Sequence, residues 1–110
     1  MTEPITGRQF QESDGVEDWR EVGGGAGAGA CFKTGSFGKG VAFVDEIGRV
    51  ADELDHHPDV DLRYATVTVR LTTHEVGGLS ERDVQLARRI SAIARGLGIV
   101  AGPDAAFAGD

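Results

Sequence analysis

Residues 52–83 read DELDHHPDVDLRYATVTVRLTTHEVGGLSERD. Pro58 ends any helix that reaches it, because the residue before a proline is pushed out of the helical region. From Ala65 to Thr73 the pattern alternates: Ala65, Val67, Val69 and Leu71 point one way, and Thr66, Thr68, Arg70 and Thr72 the other. That is the signature of a half-buried antiparallel strand. Leu62-Arg63-Tyr64 is either a separate short strand or the start of the same one, since no turn residue decides. If the parity persists, Tyr64 and His74 lie on the polar-lined face. Ser80 followed three residues later by Asp83 makes a capping box, so a helix begins there.

Upstream, Ser36 to Asp55 has helical spacing, with Val41, Val44, Ile47 and Ala51 on one stripe and Phe43, Val50 and Leu54 on its neighbour. Gly38, Gly40 and Gly48 each weaken this helix by up to ~1 kcal/mol relative to Ala, so packing must hold it. His56 and His57 then fall at its C-terminus or just beyond. Trp19–Val22 reads as a short strand and Ala30–Lys33 as its return, joined by a flexible glycine-rich connection at Gly23–Gly29. That run lacks the spacing of a phosphate-binding loop. The last helix carries Val84, Ala87, Ile90, Ala94 and Leu97 on one face and stops at Gly96 and Gly98. Residues 1–15 form a polar, poorly specified segment with a short helix at best, and 101–110 an Ala/Gly-rich tail expected to be disordered.

The chain has 110 residues, enough for one domain with one core. Its hydrophobic content of 40% and charged content of 26% are those of a soluble globular protein, and no apolar run is long enough to cross a membrane. The N-terminus lacks a basic and apolar leader pattern, so a cytoplasmic location is expected. The net charge of −7, with scattered basic residues, disfavours direct nucleic-acid binding. The lone Cys31 has no second thiol for a disulfide or a zinc motif and reads as a small strand residue.

All three histidines, His56, His57 and His74, lie in the 52–83 segment. Imidazole gives or takes a proton near neutral pH, so this confinement points to proton-transfer chemistry. A metal site is not expected, because adjacent histidines point apart and no thiolate assists. No Ser or Cys carries a local nucleophile signature. Singly, each residue has a plain structural reading: His56 or His57 favoured by the helix dipole, His74 ending a strand, Asp52 solvated, Asp83 a cap.

Together, the order and spacing of Asp52, His56-His57-Pro58, Tyr64, Thr73-His74-Glu75 and Asp83 resemble the signature of the pterin-4a-carbinolamine dehydratase family. Trp19-Arg20-Glu21-Val22 resembles that family's first strand, and Phe43–Ala51 the helix before its histidines. The resemblance covers most of the chain, with the domain placed at residues 16–100. The N-terminal helix is shorter than is usual in the family, the first hairpin is richer in glycine, and Val60 stands where many members have an aromatic residue.

The resemblance implies an α+β fold in the order α-β-β-α-β-β-α, with a four-stranded antiparallel sheet and helices packed on one face. It implies a hydro-lyase that dehydrates 4a-hydroxytetrahydropterin to quinonoid dihydropterin in tetrahydropterin recycling, with pterin as substrate and no separate cofactor. His56, His57 and His74 would be the acid/base and orienting groups, Asp52 and Asp83 their supporting carboxylates, and Pro58, Tyr64, Thr73 and Glu75 substrate-binding residues. Dimers or tetramers, and an aromatic amino acid hydroxylase as partner, are further implications. Members of the family also act as binding partners in other assemblies, so a non-catalytic adaptor or a pterin-binding protein is the alternative. Three clustered imidazoles favour the enzyme, because an adaptor has no physical need of them.

Overall fold

A computed structural model describes residues 2–102. The sheet has five strands: β1 (Arg20–Val22), β2 (Gly27–Lys33), β3 (Asp59–Leu62), β4 (Thr66–Leu71) and β5 (Val100–Ala101). All pairings are antiparallel, in the order β1-β2-β4-β3, with β5 also on β2. Helices α1 (Gly7–Gln11), α2 (Phe37–Leu54) and α3 (Glu81–Gly96) complete the α+β architecture.

The alternation in β4 sets the core. Val67, Val69 and Leu71 are buried and stand opposite Phe32, Ala30 and Ala28 of β2. Against this face α2 places Phe43, Ile47 and Val50, and α3 places Val84, Ala87, Ile90 and Ala94. Trp19, Phe32 and Phe43 meet edge-to-face, with centroids 5.9 and 5.1 Å apart. The Trp19 indole N–H is satisfied by Ser91 Oγ at 3.0 Å. Burial of these large side chains is the main stabilising term, each contributing roughly 1.5–3 kcal/mol.

Four expectations change. Leu62-Arg63-Tyr64 neither continues β4 nor forms its own strand: Leu62 ends β3 and pairs with Val67, so the chain reverses between them without a Gly or Pro to announce it. The glycine-rich run is not a loose connection. Only Gly23–Ala26 turn, and Gly27–Gly29 already belong to β2, where a Cβ at Gly27 would lie 2.8 Å from the Leu71 carbonyl oxygen. The expected tail begins as structure, because Ala101 pairs with Phe32 and Gly102 N–H donates to Cys31 O at 2.8 Å. Residues 103–110 lie outside the described residues. Finally, the N-terminal helix is short but well specified. Thr6 and Gln9 form a capping box, and Phe10 is fully buried in the same core as Val16 and Trp19.

α2 runs from its Ser36 cap as the spacing predicts, but its apolar face is wider than the core uses. Phe37 and Val41 remain 50% and 47% exposed. Among the described residues no helix is long and apolar enough to cross a membrane.

Candidate active site

α2 ends at Asp55, a non-glycine residue in the left-handed conformation (φ 51°, ψ 46°). The N–H of His56 bonds back to Ala51 O at 3.1 Å and that of Asp55 to Asp52 O at 3.3 Å, the reversed closure of a Schellman motif. This turn sends the adjacent imidazoles to different environments. His56 is buried, whereas the His57 side chain is 57% exposed.

His56 Nε2 lies 2.7 Å from Asp83 Oδ1, and Asp83 is wholly buried. The other carboxylate oxygen accepts the Thr73 hydroxyl at 2.6 Å and the Ser80 N–H at 3.0 Å. An ionised carboxylate only accepts, so opposite it His56 carries its hydrogen on Nε2. Thr73 spends its hydrogen on Asp83, so Ser80 Oγ donates to Thr73 Oγ1 at 2.7 Å. Among the described residues no buried side-chain N or O lacks a partner. His57 Nε2 meets Asp52 Oδ1 at 2.9 Å in an exposed pair.

β4 delivers the third imidazole. After Leu71 the chain passes through Thr72 and Thr73 into a one-turn 3-10 helix, His74–Val76, and Gly77 at φ 66° turns it back. Thr73 N–H bonds to Gly78 O at 2.8 Å across this loop. The glycine-rich hairpin backs the loop: Gly25 O accepts the Leu79 N–H at 3.2 Å, and Ala26 O accepts the Thr72 hydroxyl at 2.8 Å. A Cβ at Gly78 would lie 2.9 Å from Gly25 O, so the two backbones meet only because glycine stands there. From the other side, Ile5 N–H donates to Leu79 O at 2.9 Å. His74 itself is exposed, and its imidazole makes no hydrogen bond among the described residues.

These elements enclose a cleft of about 430 Å³. It is lined by all three histidines and by Pro58, Thr73 and Glu75, six of the sequence-predicted site residues. Asp52 and Asp83 do not line it but hold His57 and His56 from behind. Tyr64 is not brought to the site. It is 76% exposed in the β3–β4 turn, at the end of the hairpin away from Pro58 and Thr72, because strand parity does not carry through a chain reversal. At that same turn Asp61, by hydrogen bond and charge, raises the exposed Arg63 above its ordinary range. Sequence reasoning missed Asp55, Asp59, Thr72 and Arg82, which also line the cleft. All four stand next to the quoted motif residues, Arg82 directly before Asp83, and Arg82 shows besides as a cation in the first turn of α3, where the helix dipole disfavours one. No group of three or more His, Cys, Asp or Glu side chains among the described residues is placed to hold a metal ion.

The profile of the family described as pterin 4 alpha carbinolamine dehydratase matches residues 3–93. The chain belongs to this family. A relative from Rhodopseudomonas palustris (strain HaA2) is 38% identical over 100 residues, covering 90% of this chain and 99% of its own length. One from Bradyrhizobium diazoefficiens is 39% identical over 96 residues, covering 86% and 96%. Both bear the name "Putative pterin-4-alpha-carbinolamine dehydratase". The crystal structure of a "transcriptional coactivator/pterin dehydratase" from Brucella melitensis superposes with a TM-score of 0.77 at 31% identity, covering 84% of this chain and 99% of that one. The family therefore supports a pterin carbinolamine dehydratase, and the α+β fold with its antiparallel sheet is that of the solved pterin dehydratase.

Proposed function

We propose that the protein is a hydro-lyase that converts 4a-hydroxytetrahydropterin to quinonoid dihydropterin and water, within tetrahydropterin recycling. The observation that carries this reading is the convergence of His56, His57 and His74 on one cleft, with His56 oriented by a buried carboxylate. Hydroxide is a poor leaving group. An imidazolium donates a proton to the departing oxygen as the C4a–O bond breaks, the N5 lone pair forms the C4a=N5 bond, and a neutral imidazole takes the N5 proton. One imidazole has lost a proton and another has gained one, so exchange with water restores both. The carboxylates of Asp83 and Asp52 orient His56 and His57 and stabilise the positive charge that develops on the pterin. Pro58, Thr73 and Glu75 bound the substrate. The pterin is the substrate, and the reaction calls for no separate cofactor.

Turnover of freshly generated 4a-hydroxytetrahydropterin tests this. Acceleration over buffer is expected, and its absence overturns the enzyme reading. An aromatic amino acid hydroxylase is the expected source of the carbinolamine.

The half-exposed Phe37 and Val41 on α2 and the open edge of β3 support self-association as a dimer or tetramer. A monomer mass by light scattering at micromolar concentration would count against it. The same apolar flank favours a second reading, a partner-binding protein that does not use its histidines. That reading moves ahead if the wild-type protein leaves the carbinolamine untouched.

A further inference from the structure

The cleft has two walls that carry its imidazoles. One is the left-handed turn at Asp55, from which His56 and His57 emerge, and the other is the 3-10 turn that begins at His74 and continues into Glu75. Arg82 touches both. Its Nη2 donates to the Asp55 carbonyl oxygen at 2.5 Å, and its Nη1 to Glu75 Oε1 at 3.4 Å. Its own N–H is tied to the Ser80 cap at 3.2 Å, one residue from Asp83, which holds His56.

The geometry points to Arg82 as a positioning residue that fixes the distance between the two histidine-bearing walls. This rests on the dehydratase reading for its catalytic consequence. A guanidinium suits the task because its rigid planar fork presents donors in two directions at once, while an ammonium is a compact point charge on a flexible stem with no such fork. The position supports the role, since a cation in the first turn of a helix opposes the helix dipole and gains nothing from it. The Glu75 contact alone, at a half-exposed side chain, is weak, so the significance lies in the bridge.

The test compares Arg82→Ala and Arg82→Lys with Arg89→Ala. Arg89 pairs with Glu53 at 2.9 Å and joins the same two helices, α2 and α3, without lining the cleft. Two readouts are taken: kcat and KM for the carbinolamine, and imidazole proton NMR signals of the three histidines without substrate. Small misplacements of reacting groups cost up to about a hundredfold in rate. Arg82→Ala is therefore expected to lower kcat roughly ten- to a hundredfold with a smaller change in KM, and to shift or broaden the imidazole signals. Arg82→Lys should recover part of both, and Arg89→Ala should match wild type. Wild-type kcat and spectra in Arg82→Ala, or an equal loss in Arg89→Ala, would overturn the inference. If Arg82→Ala does not fold, a folded Arg82→Lys with wild-type kcat and spectra overturns it equally. If wild type does not turn over the carbinolamine, the dehydratase reading fails and the imidazole spectra alone decide whether Arg82 fixes the walls.

Discussion

The Nε2 atom of His56 stands 2.7 Å from Oδ1 of Asp83, a carboxylate with no exposure to solvent. Two further donors, from Thr73 and Ser80, converge on its other oxygen. Capping of α3 and orientation of an imidazole therefore reside in one side chain, and stability and chemistry cannot be separated there.

Asp83→Asn accordingly lowers both. The amide turns one acceptor into a donor and leaves a buried group facing a like partner, at a cost of about 1–3 kcal/mol. In a domain of this size that is a fall of about 4–8 °C in Tm per kcal/mol. Thermal melts together with single-turnover kinetics check this. An unchanged Tm would mean that the carboxylate is not engaged as described.

His56→Ala and His74→Ala should diverge. The first leaves Asp83 with a buried unpaired oxygen, costing about 1–3 kcal/mol as well as activity. The second removes an exposed imidazole with no hydrogen bond among the described residues, so Tm should hold while kcat falls about 10²–10⁴-fold. Equal melting temperatures for the two variants would contradict the contrast.

Asp52→Ala probes the outer pair. With its side chain 81% exposed, the contact to His57 is worth only about 0–1 kcal/mol, so urea unfolding should stay near wild type. If the pair matters, it is for orienting His57, visible as a change in kcat or KM without a change in midpoint.

Two glycine substitutions should move stability in opposite directions. At Gly48, inside α2, an added Cβ meets nothing within 4 Å, so Gly48→Ala should stabilise by about 0.5–1 kcal/mol. Gly78→Ala pushes a methyl group to 2.9 Å from the Gly25 carbonyl oxygen and should cost about 1–3 kcal/mol, with loss of activity as the His74 loop shifts. Chemical denaturation curves decide both.

Much of this was legible in the residues. Pro58 and the Ser80–Asp83 box mark the ends of α2 and α3, and the Val67-Val69-Leu71 alternation marks β4, because each is a local signal. Six site residues were brought to the cleft from their order alone. From the residues alone β3 is left open between a separate strand and the start of β4, because its reversal through Arg63 and Tyr64 carries no turn residue, and the expected place of Tyr64 fails with the parity. β5 has no pattern of its own and exists by pairing with the free edge of β2. The Thr6–Gln9 box was readable from its spacing but lay in a segment too polar to draw notice. Arg82 stands directly before Asp83, but its bridging role is not a local signal, since its partners Asp55 and Glu75 come from two other elements.

His56 is separated by 27 residues from the carboxylate that orients it, and the loop bearing His74 is backed by Ile5 and Gly25 from the opening of the chain. During synthesis, at about 5–20 residues per second, the imidazoles are made before Asp83 exists. The backbone of Ile5 and Gly25 waits throughout for Leu79, the residue it pairs with. Pairings so distant along the chain form late, after the entropy of closing large loops has been met. A nascent or truncated chain lacking α3 therefore carries all three histidines but not their arrangement, and the cleft is assembled only when the fold is complete.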